Sequence, residues 1–254
     1  MKNSGLIRWT ILVVIAAGIL DLQAQTETNA PPPKPKWEST LTASLAYTRG
    51  NSKTLTMAGA ANTQKKWDDN ELKFGADGAY GEKTENGTTT ADPNNAHGYG
   101  QYNRLFTERW FAFARLEAWH DDVADVEYRV PVSVGAGYYI VKKPNVDLDL
   151  EAGPGYVWQK QGGEIDNYTT VRGADNFNYK ISDRAKFWQK TEVLPKLENF
   201  AYIVVSSEIG VSAALTDNKK LALTVTLNHT YDSQPAAGRL HNDTILKTGI
   251  TYAF

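Results

Sequence analysis

No cysteine occurs among the 254 residues. The chain therefore has no disulfide framework, no thiol nucleophile and no lipidation site for a lipoprotein anchor. An excess of one charge is also lacking. Lysine and arginine number 27 against 29 aspartate and glutamate, a formal net charge of −2, and that balance offers nothing to a nucleic acid or other polyanion. Beyond the N-terminus no segment approaches the run of about 18 apolar residues that marks a transmembrane helix. Helical periodicity is scarce throughout. A membrane-spanning chain with those absences must close its strands into a barrel, because only closure satisfies every strand's backbone groups in lipid.

What is present begins with an address. Lys2 and Arg8 form a short basic region, the apolar run Trp9 to Leu20 follows, and the segment ends in Asp21-Leu22-Gln23-Ala24-Gln25. That order is a secretory signal peptide, and the run is too short for a spanning helix, which needs about 20 residues. Residues 1–24 are expected to be removed after Ala24. Residues 25–36, with Pro31-Pro32-Pro33-Lys34-Pro35-Lys36, read as a proline-rich periplasmic linker.

From Trp37 onward the chain alternates in polarity. In 145–159 one face carries Val146, Leu148, Leu150, Ala152, Tyr156 and Trp158, and the other carries Asp147, Asp149, Glu151, Gly153, Gly155 and Gln159. The same period of two recurs in 128–141, 219–231 and 243–254. A soluble sandwich also alternates, but these segments run to about twice the usual strand length of five or six residues. Aromatics gather at strand ends on the apolar face, as in interfacial girdles. The opposite face is small, glycine-rich and charged, which suits a polar lumen. The fold class is all-β: a transmembrane antiparallel up-and-down β-barrel over 37–254, with twelve strands near 37–48, 53–66, 70–83, 96–107, 110–122, 128–141, 145–159, 168–181, 184–195, 200–215, 219–231 and 243–254. An even count returns the C-terminus to the side where the chain enters. The expected periplasmic turns are short, and the longer loops are 84–95, 160–167 and 232–242.

Chemistry-bearing residues are few. His97, His120, His229 and His241 fall in different strands or loops without ligand spacing. An outer-membrane lipid-active hydrolase using His229, outward near the outer end of its strand, is one alternative. Ser206 and Ser212 on the preceding strand fall on the lumen face, however, and no G-x-S-x-G motif is present. Asp68-Asp69 and Asp121-Asp122 read as solvated strand ends, since no further oxygen ligands stand at loop spacing. No enzyme, catalytic residue, metal or cofactor is expected. The lumen-lining candidates are Arg115, Glu117, Asp147, Asp149, Glu151, Arg184, Lys186, Lys190 and Glu192. Paired, they would plug the interior. Hydrated, they would tune a narrow pore.

Leu215-Thr216-Asp217-Asn218, then Tyr231-Asp232-Ser233-Gln234-Pro235, Asn242-Asp243-Thr244 and the closing Tyr252-Ala253-Phe254, with Thr48-Arg49-Gly50-Asn51-Ser52 near the start, form a recognisable set. Together they resemble the salt-induced outer-membrane protein family, a β-barrel family with no established activity. The resemblance covers Trp37 to Phe254 and implies an outer-membrane location, a barrel and an association with osmotic conditions. The expected function is therefore a structural or narrow-pore barrel in the outer membrane of a Gram-negative cell. Its expected partners are outer-membrane lipids and the barrel-assembly machinery, the latter through the C-terminal strand ending in Phe254. A second alternative is partner binding in the periplasm through the linker.

Overall fold

Alternation of large apolar with small or polar residues favours strands, because only an extended backbone sends successive side chains to opposite faces. The computed structural model describes residues 36–49, 53–85 and 88–254; the signal peptide and, apart from Lys36, the linker lie outside them. The strands are β1 (Trp37–Arg49), β2 (Lys53–Trp67), β3 (Asn70–Glu85), β4 (Thr88–Leu105), β5 (Trp110–Asp121), β6 (Val126–Lys143), β7 (Val146–Gln161), β8 (Glu164–Ile165), β9 (Tyr168–Lys180), β10 (Ala185–Lys196), β11 (Asn199–Ala214), β12 (Leu221–Asp232) and β13 (Asn242–Ala253). β8 is a two-residue arm on the end of β7. The other twelve pair antiparallel in chain order, β7 with β9, and the sheet closes where β1 meets β13. This is a closed twelve-stranded barrel, with no helix among the described residues.

The first and last strands bring both ends of the described chain to one rim, here the near end. β1 and β13 pair only over Thr40–Ser44 with Gly249–Ala253, next to that rim, so the closing seam is short. The outward face is apolar, with Leu41, Met57, Phe74, Leu116, Val134 and Leu246 all exposed. A surface of that kind fits lipid rather than water. Aromatic rings mark its two edges: Trp37, Trp110 and Tyr252 near, Tyr128, Tyr156 and Trp158 far. The Lys65 ammonium sits 5.7 Å from the Trp37 ring and 5.9 Å from the Trp67 ring, a cation among the girdle aromatics.

Two expectations need correction. β3 and β4 pair out to Glu85 and Thr88, so 84–95 is a hairpin and not a loop. β5 joins β4 only from Asn95, so the hairpin stands beyond its neighbour. Thr88-Thr89-Thr90 is β-branched and favours extension, while its polarity hides the alternation. Pro93 is tolerated beside the register shift at Tyr80/Glu82, where β4 has no second partner to bond its missing N–H. Loop lengths also fail to sort by side: at the far end only Leu197 and Glu198 separate β10 from β11. The acidic pairs serve turns. Asp68 adopts φ 47° between β2 and β3, and the Asp121 carboxylate accepts the N–H groups of Val123 (2.9 Å) and Ala124 (3.0 Å).

Candidate functional site in the barrel interior

Inward positions of β2 to β10, with Lys247 of β13, carry opposite charges that meet each other. The Arg172 guanidinium on β9 contacts Glu151 on β7 at 2.6 Å and Glu192 on β10 at 2.5 Å. Arg115 on β5 bonds Glu117 and reaches Glu192 across the interior at 3.7 Å. Gln101 donates to Glu151 at 2.7 Å, and Asn103 donates to Glu71 at 2.9 Å. Lys66 and Lys73 each stand 3.0 Å from Glu71. His97 links Glu117 (3.3 Å) to Asp77 (3.0 Å), which meets Lys247 of β13 at 3.0 Å. Buried charges persist only when paired in this way.

Toward the far end a second layer spans nearly the full width. Arg129 on β6 meets Asp232 on β12 at 2.8 Å and donates to Gln159 (2.8 Å) and Gln161 (3.0 Å). Gln159 in turn donates to the Tyr202 hydroxyl at 2.8 Å. Lower on the same side, Phe111 lies over Gly137 and Phe113 over Gly135, their cross-strand partners. A Cβ on Gly137 would collide with the Phe111 ring, so glycine there makes room for the aromatic filling.

The rest of the interior is different. Lys190 and Glu208 approach to 3.6 Å with side chains 44 % and 34 % exposed, against 5 % and 2 % for Arg172 and Glu151. Trp188, flat over Gly210, donates from Nε1 to Glu208 at 2.6 Å. At the near end of β13 and β12 the inward side chains are short: Thr251 bonds Thr42 (2.7 Å) and Thr224 (2.8 Å), and Thr224 bonds Ser212 (3.0 Å).

The structure brings Arg115, Glu117, Glu151 and Glu192 into one network. Asp149 and Asp147 lie nearer the near end, accepting from Asn176 (2.9 Å) and Asn178 (2.8 Å). Lys190 faces Glu208, and the Lys186 ammonium lies 5.4 Å from the Trp188 ring centroid. β10 starts one residue later than the alternation suggests. Arg184 therefore sits in the preceding turn, half exposed, 2.8 Å from Asp217 of the neighbouring turn. Sequence reasoning missed Arg172 and Arg129, although their signal was present: each directly precedes or follows an outward valine, Val171 or Val130, and so points inward. Of the histidines, His97 is interior and stacked on Trp119 at 3.7 Å. His120 bonds the Glu127 carbonyl, and His241 bonds the Asp232 carbonyl. His229 faces outward and bonds Thr244. Among the described residues no group of three or more His, Asp or Glu is arranged to hold a metal ion.

Comparison with solved structures gives the fold a context. The NanC porin superposes with a TM-score of 0.50 at 10 % identity, covering 85 % of this chain and 98 % of its own. The KdgM porin gives 0.44 at 8 % identity, over 86 % of this chain and 99 % of its own. The outer membrane channel DcaP of Acinetobacter baumannii gives 0.39 at 10 % identity, over 86 % and 95 %. These neighbours are porins and channels. No curated protein matches the chain in sequence. The family model for DUF481, a protein of unknown function, matches residues 41–254, and the chain belongs to the DUF481 family.

Proposed function

We propose that the protein is an outer-membrane barrel with a narrow water path along one side of its interior, passing small ions or solutes. The observation that carries this reading is a contrast in exposure between two interior ion pairs. Lys190 and Glu208 are reached by water where Arg172 and Glu151 are sealed. An eight-stranded barrel is filled by side chains and a sixteen-stranded one leaves a channel; twelve strands with one packed arc leave a slot. The porin-like fold of the NanC porin is compatible with such a path.

In this reading Lys190 and Lys186 set the charge of the path. Arg115, Glu117, Asp149, Glu151 and Glu192 form its packed wall, while Asp147 and Arg184 belong to the near-end mouth. Outer-membrane lipids cover the apolar outward face, and the exposed terminal Phe254 is presented to the assembly machinery at the near rim. An association with osmotic conditions suits a conduit of this size.

The test is single-channel recording on refolded protein in planar bilayers. Small, stable conductance is expected. Lys190→Gln should shift the reversal potential toward cation preference, and Glu208→Gln should shift it toward anion preference. Conductance at background for all three proteins would reject the path and leave a plugged barrel.

A further inference from the structure

The outward face holds an arrangement that a conduit does not use. Five residues of successive strands, each the direct cross-strand partner of the next, interrupt the apolar surface: Asp175 on β9, Thr191 on β10, Ser207 on β11, His229 on β12 and Thr244 on β13. Polar groups facing lipid are unfavourable unless partnered or used. Thr191, Ser207, His229 and Thr244 are partnered in a telling order. His229 Nδ1 is 2.9 Å from Thr244 Oγ1. The tautomer that donates Nδ1–H to Thr244 leaves Nε2 with its lone pair. On the other side of the row, Gln189 donates to Thr191 Oγ1 at 2.7 Å, and Ser207 donates to the same oxygen at 3.4 Å. Thr191 keeps its own hydroxyl proton to donate elsewhere.

Ser207 and His229 are directly opposed, and such pairs hold their Cβ atoms about 4.5–5.5 Å apart. Rotation of Ser207 about its Cα–Cβ bond turns its hydroxyl from Thr191 to His229. A nucleophile, a base with an anchored second nitrogen and a hydroxyl donor beside the nucleophile then stand in line, the arrangement that activates a serine.

A groove of about 540 Å³ meets this row at Thr191. It runs along the outside of the wall from Trp110 and Tyr138 past Leu150 to Asp175 and Thr191, all in one cross-strand register. Ala136, Ala152 and Gly173 form its floor. From β5 to β10 it crosses four strand spacings of about 4.8 Å, on the order of 19 Å, the reach of a long fatty acyl chain. It opens onto the surface that faces lipid.

We propose that Ser207 and His229 form a lipid-facing hydrolytic site for long-chain acyl esters of membrane lipids, with Thr191 as the donor to the ester oxygen and Thr244 positioning the histidine. His229 Nε2 takes the Ser207 proton as Oγ bonds to the ester carbonyl carbon. The ester C–O bond breaks, and the same proton passes to the departing alcohol oxygen. Water, deprotonated by His229, then adds to the acyl-serine, releasing the fatty acid and restoring Ser207.

The experiment uses the refolded full barrel in mixed micelles of a non-ionic detergent with dipalmitoyl phosphatidylethanolamine, and separately with p-nitrophenyl palmitate. Released fatty acid and lysophospholipid are read by mass spectrometry. In parallel, a long-chain fluorophosphonate is added and its site mapped by peptide digestion. Release of fatty acid and labelling at Ser207 are expected. Ser207→Ala and His229→Gln should lower release at least about 100-fold, and Thr191→Val should lower it by about 100-fold as an oxyanion donor is lost. Ser206→Ala, one residue away and facing the interior, should keep full activity. Release from both substrates places specificity in the acyl chain; release from the phospholipid alone adds the headgroup. No release from either substrate with no label at Ser207, or equal release by Ser207→Ala, overturns the proposal. Barrel formation by every variant is checked by its heat-modifiable electrophoretic shift.

Discussion

Along β5, β7 and β9 the inward positions hold Glu117, Glu151 and Arg172, all sealed from water, whereas along β10 and β11 they hold Lys190 and Glu208, which water reaches. Both arcs are charged and both obey the same alternation. They differ in side-chain length and in what lies opposite. On the sealed side, arginine and glutamate reach each other across strands, and Phe111 and Phe113 fill the space above the glycines of β6. On the other side, Ser212, Thr224, Thr42 and Thr251 bond only along the wall and are too short to cross. Charge content therefore does not decide whether a barrel interior is filled. The reach of each side chain toward a partner does.

The strongest way to break this comparison is to remove one charge from each arc. Arg172→Met leaves Glu151 and Glu192 buried without their shared guanidinium. It should destabilise the barrel by about 3–5 kcal/mol, the usual cost of an orphaned buried charge. Lys190→Met removes one partner of a solvated pair and should cost under about 1 kcal/mol. Urea-driven unfolding in lipid vesicles reads both. Equal losses would mean that the two arcs are energetically alike.

Packing sharpens the same contrast at smaller magnitude. Gly137→Val forces the Phe111 ring off its cross-strand partner, and overpacking of this kind typically costs about 1–3 kcal/mol. Thr226→Val on β12 keeps the same volume on the side lined by short residues and should leave the unfolding midpoint nearly unchanged. A midpoint that falls equally in both variants would show that the β12 side is filled as well.

The far-end layer joins the two arcs, and its loss has a separate readout. Asp232→Asn keeps the size of the side chain but removes the ion pair with Arg129. Hydrogen bonds to charged groups contribute about 1.5–3 kcal/mol, so part of that stability should go. Because the pair bridges β6 and β12, single-channel noise should rise as the layer loosens. Unaltered noise with reduced stability would make the layer purely structural.

Much of this was legible in the sequence, and the reasons are local. Twelve long strands follow from period two in segments such as 145–159, and their inward faces follow from phase. Phase also places Arg172, Arg129 and Ser207; weighing only Ser206 and Ser212 beside His229, and setting them aside as lumen-facing, passes over Ser207, which the same alternation puts on the outward face. What phase cannot give is distance across the barrel. The pairing of Arg129 with Asp232, or of Lys247 with Asp77, depends on closure and stagger, which link residues far apart in the chain. The β3–β4 extension was hidden for another reason: Thr88 to Asn94 has no apolar alternation in its sequence to mark it as a strand.

The smallest effect expected is at the near-end turn before β10, and it isolates burial as the variable. Lys180 and Asp183 form an ion pair at 2.6 Å, as short as that of Arg172 with Glu151, yet both side chains are largely exposed. The Lys180 ammonium, bonded to the Asp183 carboxyl, holds that group below its ordinary carboxylate value. A lowered value means that the pair's contribution is present above the unfolded carboxylate range and is lost as pH falls through the lowered value. Solvent and salt screen an exposed pair of this kind. Asp183→Asn should therefore leave the unfolding midpoint at neutral pH unchanged within error, and should remove any small acid-side loss that the parent shows. A clear drop at neutral pH would give an exposed pair the weight assigned here to the sealed network, and burial would no longer explain why one arc of the interior is held shut.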